Sequence, residues 1–467
     1  MRFILAAIFV VWGLLPKAQQ SLQPIGTWRE HLPYNSAIDL AAGAGKIYCA
    51  TPYSLFIVDL NGAPNSTSLE RMSRVTGLNE TGVNAIAYDA INEKLFIAYN
   101  NSNIDIVYKN NIYNIPDIKR DNIAGDKSIY QIYPLGRNYY LSTGLGILVI
   151  DGDKYEVMDS WFIGNAGNQV KVSGFTSDAN FYYAATEEGL KVAPVNISNP
   201  ANFANWQTVS PANGLSPGAV QNVFMNNGSP ILQKNDSLFR KEGNDWVFFY
   251  YDGWPLVNSN SSSGKILLSQ RKPGGEGRVL ILNEDATIAR LLEQPGVISY
   301  PRKGIIRDND TWIADQFGGL TRFQINSFET FKPNSPQSTA SGEMTVYNNV
   351  IYVTAGEVND SWNYQYNGNG FFYLKDGVWT NINRFVFPQL DSLLDFITIA
   401  IDPRDESIWA GSYGGGLLHK QESPVFEIFK QGFIGSAIGD PASYRVSGLA
   451  FDKENNLWIA NYGASQP

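Results

Sequence analysis

The chain has 467 residues and a formal net charge of −9, with 44 acidic against 35 basic side chains. This acidic balance argues against generic nucleic-acid binding, which depends on a basic surface. A chain of this length exceeds what one hydrophobic core supports, so we expect at least two domains. Its single cysteine, Cys49, excludes an intrachain disulfide, and two histidines are too few for metal sites built from His and Cys.

The N-terminus has the composition of a signal peptide. Met1 and Arg2 form a short positive segment, an apolar run follows over residues 3–15, and polar residues begin after Pro16. The apolar run is shorter than the roughly 20 residues that a spanning helix needs. We therefore predict a signal peptide over residues 1–20 and an exported protein, the alternative being an uncleaved anchor. No later apolar run is long enough to span a membrane.

Next along the chain comes a sequence motif that recurs. It joins an apolar strand ending in Asp to a second strand ending in a small residue, and its copies begin at Val83, Phe396 and Val446. They read VNAIAYD with LFIA, FITIAID with IWAG, and VSGLAFD with LWIA, and a shorter copy, TWIA, stands at residues 311–314. A repeat of about 40–50 residues built of short strands is typical of a β-propeller blade.

Degenerate copies extend the repeat over the whole chain. Ten units align on the residue that ends the second strand, with spacings of 36 to 56 residues: Ala50, Ala98, Ser142, Ala184, Leu232, Leu268, Ala314, Thr354, Ala410 and Ala460. The alternatives are a β-sandwich or a β-helix with coincidental strand spacing. A β-sandwich rarely repeats the same four-strand pattern over so many units, and the repeat unit of a β-helix is shorter than the units found here. The predicted fold class is therefore all-β, with tandem β-propellers.

The number of units indicates two rings, because a single propeller holds roughly four to eight blades. We predict a seven-bladed ring over residues 21–337 and about three blades of a second ring over residues 338–467. The last unit stops after its second strand, so we expect the chain to be a piece of a longer protein. Residues 25–28 resemble an outermost strand, and we expect them to close the first ring by pairing with its last blade.

Catalytic constellations are absent from the sequence. Ser-His-Asp or Cys-His chemistry would have to use His31 or His419, which we expect at solvated strand or turn positions in different domains. The chain contains no phosphate-binding Gly-rich motif and no EF-hand loop. A carboxylate pair for glycoside hydrolysis stays open, because any two acidic residues can converge in space. We predict no enzyme activity and no cofactor.

The first candidate binding site is a long loop that interrupts the repeat at residues 357–370. It carries Trp362, Tyr364 and Tyr366 on a polar frame. Aromatic rings in such a setting suit stacking on sugars or contact with a protein partner. The alternative is a long hairpin whose aromatic rings fold onto an adjacent blade.

The second candidate site is a Gly-rich turn at residues 271–278. It places Arg271, Lys272 and Arg278 close together in an otherwise acidic protein. Such a cluster suits an anionic group, for example a phosphate or a carboxylate. The alternative is a solvated hairpin tip.

The repeats and the N-terminal region resemble two known families. The motif that begins at Val446 is similar to the repeat of the two-component regulator propeller family, which supplies periplasmic sensor domains to hybrid histidine kinases of Bacteroidetes. Other segments resemble the PorZ family of type IX secretion components. This resemblance is strongest over residues 25–146 and is carried by IGTWREHLPY (25–34), VTGL (75–78), NIDI (103–106), YNIPDIKR (113–120) and GDKS (125–128).

The resemblance to the PorZ family implies a non-enzymatic role on the cell surface. Members of that family have two seven-bladed propellers and a C-terminal sandwich, and they join a sortase-like protease and outer-membrane β-barrel proteins in an attachment complex. The resemblance also implies binding of anionic lipopolysaccharide. The alternative function is a ligand-sensing ectodomain of a hybrid two-component regulator, with a periplasmic location, and a carbohydrate-active enzyme is a third interpretation. A sandwich domain beyond Pro467 would favour secretion, whereas a spanning helix and a kinase would favour sensing.

Overall fold

The computed structural model describes residue 26 and residues 28–61, 68–421 and 425–464. The predicted signal peptide, residues 1–20, lies outside the described residues. Regular structure in the described part is almost entirely strand. The exceptions are one helical turn, α1 (Asp117–Arg120), and five 3₁₀ turns: Arg74–Thr76, Asn165–Gly167, Phe203–Asn205, Pro211–Asn213 and Pro388–Leu390.

Seven four-stranded antiparallel sheets, here called blades 1 to 7, follow one another along the chain. Strands pair in sequence order within each blade, from the innermost to the outermost. The strands are Asp39–Gly43, Lys46–Ala50, Leu55–Asp59 and Ser68–Met72 in blade 1; Val83–Asp89, Lys94–Tyr99, Ile104–Tyr108 and Asn111–Ile115 in blade 2; Ile129–Leu135, Asn138–Thr143, Ile147–Asp151 and Glu156–Trp161 in blade 3; Val172–Ser177, Phe181–Thr186, Gly189–Pro194 and Gln207–Thr208 in blade 4; Asn222–Asn226, Ser229–Lys234, Ser237–Glu242 and Asp245–Tyr250 in blade 5; Leu256–Ser262, Lys265–Arg271, Gly277–Leu282 and Ile288–Leu292 in blade 6; and Pro301–Arg307, Asp310–Asp315, Gly319–Phe323 and Phe328–Phe331 in blade 7.

Three further units, blades 8 to 10, follow the polar stretch after blade 7. Their strands are Met344–Tyr347, Val350–Thr354, Phe371–Lys375 and Val378–Ile382 in blade 8; Phe396–Ile401, Ile408–Gly414, Gly416–Lys420 and Phe426–Phe429 in blade 9; and Tyr444–Phe451 and Leu457–Asn461 in blade 10. The predicted fold class, all-β with tandem propellers, is confirmed. The division into two domains at residue 337 stays a prediction.

Local sequence explains the tight hairpins within the blades. Two-residue turns in which both residues have positive φ match the right-handed twist of the strands they join, and Gly, Asn and Asp adopt them most readily. Six hairpins use such a pair: Ala44-Gly45, Asn227-Gly228, Ser263-Gly264, Asp308-Asn309, Asn348-Asn349 and Asp376-Gly377.

The apolar core of the first ring consists of layers between neighbouring blades. Each layer packs the faces of two successive blades, and a last layer joins blade 7 to blade 1. That closing layer brings Leu40 and Ile47 against Trp312 and Leu320, with Tyr34 buried beside them. Because burial of apolar surface is the main favourable contribution to folding, a ring that closes this way leaves no blade face uncovered.

Direct contacts join blade 7 to blade 1 and to the residue that shortly precedes it. The backbone NH of Ala37 donates to the carbonyl of Asp315 at 3.1 Å, and Lys303 Nζ of blade 7 lies 2.6 Å from Asp39 Oδ1 of blade 1. Trp28 is 85% exposed and belongs to no strand, and residues 25 and 27 lie outside the described residues. The expectation that residues 25–28 pair with the last blade is therefore wrong wherever these residues are described.

Polar side chains on the innermost strands bind each blade of this ring to the next. Their hydrogen bonds to the neighbouring backbone measure 2.5–3.1 Å and involve Asp39 with Ile86, Asn84 with Ile129, Gln131 with Phe175, Ser173 with Val220, Asn222 with Ser259, and Asn258 with Arg302. The ion pair of Lys303 with Asp39 completes this belt around the channel. A similar side-chain-to-backbone hydrogen bond links blades 8 and 9, where Glu343, which precedes blade 8, accepts from the backbone NH of Ile399 at 3.0 Å.

Candidate functional site

Both predicted sites are hairpins between the second and third strands of a blade. Residues 272–276 form the hairpin tip in blade 6, and residues 355–370 form it in blade 8. In a four-stranded antiparallel blade this turn lies at the same end as the connection that enters the innermost strand. Each loop therefore lies on that face of its blade, and the described contacts bring no residue of one loop to the other.

The aromatic loop is folded against blades 9 and 10. The ring of Trp362 stacks on Tyr462, with centroids 4.8 Å apart and planes within 10°. Its carbonyl accepts a hydrogen bond from the hydroxyl of Tyr413 at 2.9 Å. The contacts of Trp362 therefore agree with the alternative interpretation, in which the aromatic rings cover an adjacent blade.

Tyr364 and Tyr366 lie in the same loop but in different surroundings. The Tyr364 hydroxyl donates to Asp440 at 3.0 Å and accepts from Nε of Arg445 at 3.1 Å. The buried carboxylate of Asp395 accepts three consecutive backbone NH groups, of residues 365–367, at 2.8–3.1 Å and so fixes the path of the loop. Tyr366 is 73% exposed on this supported loop, which makes its ring the most accessible of the three for a partner.

Arg278, one of the three predicted cations, is neutralised inside the protein. Its guanidinium lies 2.5 Å from Asp252 and 3.6 Å from Glu293, and its carbon is 3.9 Å from the centre of the Trp254 ring. Lys272 has its own partner, because its Nζ lies 2.9 Å from the carboxylate of Glu276.

Arg271 differs from the other two cations. Its Nε donates to the carbonyl of Ser299 at 3.1 Å, and its guanidinium lies 4.5 Å from the centre of the Tyr300 ring. Among the ion pairs formed within the described residues, Arg271 has no carboxylate partner. The structure thus leaves the charge of Arg271, and not that of Arg278, available to a ligand.

A central channel of about 720 Å³ runs through the first ring and is lined by residues of all seven innermost strands. Its charged lining residues are Asp39, Lys171, Arg302 and Lys303. Asp39 and Lys303 neutralise each other, so Lys171 and Arg302 leave the channel with a positive surplus in an acidic protein. Sequence reasoning missed Lys171 and Arg302, although Arg302 and Lys303 stand together near the start of an innermost strand.

His419 is buried, which corrects the expectation of a solvated position. Its ring stacks on Trp409 at 4.0 Å, Nδ1 lies 2.9 Å from Glu427, and Nε2 lies 3.0 Å from Ser407 Oγ. Ser407, His419 and Glu427 are hydrogen-bonded in the order of a hydrolase triad. In such a triad the serine is accessible and the acid is buried, whereas here the serine is buried and the acid is exposed. Ser407 is 4% exposed, whereas the Glu427 side chain is 55% exposed, so a substrate could not reach the hydroxyl. The arrangement serves packing within blade 9.

Neither a metal-binding cluster nor a membrane-spanning helix occurs among the described residues. No group of three or more His, Cys, Asp or Glu side chains there is arranged to hold a metal ion. Within the same residues, no helix has the length and apolar composition required to cross a bilayer.

Comparison with known proteins identifies what the chain resembles. Residues 47–207, which run from the second strand of blade 1 to the outermost strand of blade 4, match the family described as "TSS9, PorZ, N-terminal beta-propeller domain". No curated protein matches the chain.

Among solved structures, PorZ of Porphyromonas gingivalis, described as an essential bacterial surface component of the type IX secretion system, is 18% identical with a TM-score of 0.80. That match covers 93% of this chain and 57% of PorZ. An extracellular domain assigned to the hybrid two-component system BT3049 of B. thetaiotaomicron is 13% identical, with a TM-score of 0.46 and coverage of 91% and 56%. The predicted resemblance to PorZ is confirmed, and the chain spans little more than half the length of either protein.

Proposed function

We propose that this chain is a PorZ-like component of type IX protein secretion, acting as a non-enzymatic binding and assembly module on the cell surface. The observation that carries the proposal is the match of residues 47–207 to the PorZ N-terminal propeller family. The similarity of fold extends over 93% of the chain, which supports the same assignment for the blades beyond that match.

The partners we propose are a sortase-like protease, outer-membrane barrel proteins and anionic lipopolysaccharide. The exposed ring of Tyr366 supports contact with a protein or a sugar, and the unneutralised charge of Arg271 supports contact with an anion. The net charge of −9 disfavours nucleic acid. We propose export by the signal peptide and association with the outer membrane.

A non-enzymatic role agrees with the geometry around the single buried histidine. Ser407 lies beneath the surface and its acid partner, Glu427, lies outside, the opposite of what an acyl-transfer site requires. A binding role also agrees with the architecture, because propellers present loops and a channel on the faces of the ring.

The proposal is tested in the native bacterium with a tagged copy of the gene. After cross-linking, purification of the tagged protein is expected to recover a sortase-like protease and an outer-membrane barrel. Tyr366→Ala is expected to reduce this recovery several-fold, whereas the control Tyr251→Ala, which removes a 55% exposed ring after blade 5, leaves it unchanged.

Deletion of the gene separates secretion from sensing. We expect cargo proteins of type IX secretion to remain unprocessed and to be lost from the cell surface. If cargo is processed and displayed normally while transcription of a defined gene set changes, the secretion role is wrong and the alternative, a sensory ectodomain, takes its place.

A further inference from the structure

Two arginines from different blades lie close to one tyrosine ring. The guanidinium carbon of Arg271 lies 4.5 Å from the centre of the Tyr300 ring, and that of Arg302 lies 5.2 Å from it. Arg271 ends the second strand of blade 6, and Arg302 is the second residue of the innermost strand of blade 7. Each cation is held by attraction to the same electron-rich ring.

Neither arginine has an acidic partner among the described residues. Arg271 uses Nε for the carbonyl of Ser299, and the guanidinium of Arg302 takes part in none of the hydrogen bonds or ion pairs formed there. Asp315, whose backbone pairs with Pro301 on the neighbouring strand, is occupied by backbone donors. It accepts four backbone NH groups, from residues 299, 300, 317 and 318, at 2.7–2.9 Å. Because both guanidinium carbons lie within 5.2 Å of one ring centre, the two charges repel each other, and an anion that contacts both would relieve that repulsion.

A β-bulge directs Arg302 toward the channel. Pro301 pairs with Asp315 and Lys303 pairs with Ala314, so Arg302 is the extra residue without a partner on the next strand. Bulges of this kind re-aim a side chain at the end of a strand. Arg302 accordingly lines the central channel, whereas Arg271 approaches Tyr300 from the hairpin of blade 6.

A third cation lies at another point of the same channel. Lys171 lines it just before the innermost strand of blade 4, with Nζ 4.2 Å from the centre of the Tyr130 ring. Tyr130 donates to Asp126, a hydrogen bond that lowers the pKa of this carboxyl, with a smaller effect from the charge of Lys171. Asp126 therefore offsets part of the Lys171 charge, so the stronger anion site lies at Arg271 and Arg302.

We propose that Arg271 and Arg302 together bind one anionic group, a phosphate or a carboxylate, of a sugar-like ligand whose remaining part enters the channel of the first ring. Guanidinium groups bind both anions through paired NH donors. The amides of Asn84 and Asn258 in the channel donate to neighbouring backbone, which leaves their oxygens to accept from hydroxyls of the ligand. This inference deepens the proposed function by locating its anionic ligand, and it rests on that function only for the biological source of the ligand.

The test is calorimetric titration of the purified chain at low ionic strength with glucose 6-phosphate, glucuronate and glucose. We expect the two anionic sugars to bind and glucose not to bind. Arg271→Gln and Arg302→Gln are each expected to weaken binding by about tenfold or more. Arg302→Lys keeps the charge without the paired donors and is expected to retain part of the affinity. The better of the two anionic sugars identifies the preferred group.

The matched control is Arg120→Gln, which removes the same charge from an exposed position on α1. The proposal is overturned if neither anionic sugar binds, if both glutamine variants bind like the wild type, or if Arg120→Gln weakens binding equally. Should a glutamine variant fail to fold, the loss of affinity in Arg302→Lys decides. Because free sugars replace the secretion partners, a negative result here is distinguishable from a negative pull-down.

Discussion

At the scale of single residues, the aspartate that ends the first strand of the repeated motif accepts hydrogen bonds from the turn after it. Asp89 accepts hydrogen bonds from the backbone NH groups of Ile91 and Asn92 at 2.9 and 3.1 Å, and from the Asn92 side chain at 2.7 Å. The hydroxyl of Tyr139 in blade 3 adds a fourth at 2.6 Å. The repeated Asp is thus a turn-forming residue, which in blade 2 also binds the next blade.

Removal of the Tyr139 hydroxyl is expected to destabilise the protein at neutral pH. Tyr139→Phe leaves a buried carboxylate with one donor fewer, so the free energy of unfolding should fall by about 1–3 kcal/mol. The measurement is urea denaturation followed by circular dichroism. Tyr113→Phe, in which the altered residue is partly exposed on an outermost strand, is the control and should change little.

The hydrogen bond between Tyr139 and Asp89 also predicts how stability depends on pH. Burial raises the pKa of Asp89, but the hydrogen bonds from Tyr139 and Asn92 outweigh burial and lower the pKa overall. A carboxyl with a lowered pKa stabilises the fold above its unfolded value of about 4 and loses that contribution as the pH falls below it. Wild type and Tyr139→Phe should therefore converge in stability toward pH 3, and a difference that stays constant with pH would contradict this explanation.

At the scale of elements, a glycine in the turn between the second and third strands of blade 3 allows the outermost strand to pack close to that turn. Gly146 has φ of +146°, and a Cβ atom there would lie 2.3 Å from the carbonyl oxygen of Trp161 on the outermost strand. An L side chain is strained at this φ and would also displace backbone. Gly146 is therefore a steric requirement of blade 3.

Gly146→Ala is expected to lower the free energy of unfolding by at least about 2 kcal/mol, because strain and contact with Trp161 add. Gly136→Ala is the matched control, since Gly136 also has positive φ (+64°) but nothing within 4 Å of the new Cβ. It should cost only about 1 kcal/mol, the strain alone. Equal effects of the two substitutions in a chemical denaturation would show that the contact with Trp161 is unimportant.

At the scale of the whole molecule, the segment before blade 1 connects the first ring to blade 8. Trp379 Nε1 donates to His31 Nδ1 at 3.1 Å, and its backbone exchanges hydrogen bonds of 2.7 and 2.8 Å with the side chain of Asn334. Asn334 in turn accepts from Arg71 of blade 1. These contacts hold blade 8 against the outer part of the first ring.

Acidification is expected to loosen this connection. Burial, together with the nearby charge of Arg29, lowers the pKa of His31, so the folded protein favours the neutral ring that can accept from Trp379. In the opened segment the His31 ring titrates at the ordinary pKa of about 6.5, so a fall in pH below that value favours the opened, protonated state, in which Nδ1 no longer accepts from Trp379. Limited proteolysis of residues 336–343 should accelerate as the pH falls from 7.5 to 5.5, an experimental range that brackets the ordinary histidine pKa of about 6.5.

The control for this prediction is Trp379→Phe, which lacks the indole NH. Its cleavage rate should be high at both pH values and should not change between them, once the pH dependence of the protease is corrected with an unfolded substrate. Wild type that shows no acceleration at the lower pH would mean that His31 contributes nothing to the connection.

The sequence by itself determined the repeat, the strands within it and the blade as the unit of structure, because alternation and turn chemistry are local properties that act over a few residues. It also predicted the cationic character of residues 271–278. The tertiary structure alone decided that blade 7 meets blade 1 directly, that His419 is buried, and that Arg278 is neutralised while Arg271 is not. It also brought Arg302 to Arg271 around Tyr300, since the ring places the hairpin of one blade beside the first strand of the next. Neutralisation and burial depend on side chains that other strands bring up, 8 residues away for Glu427 beside His419 and 26 for Asp252 beside Arg278, and no local pattern carries that information.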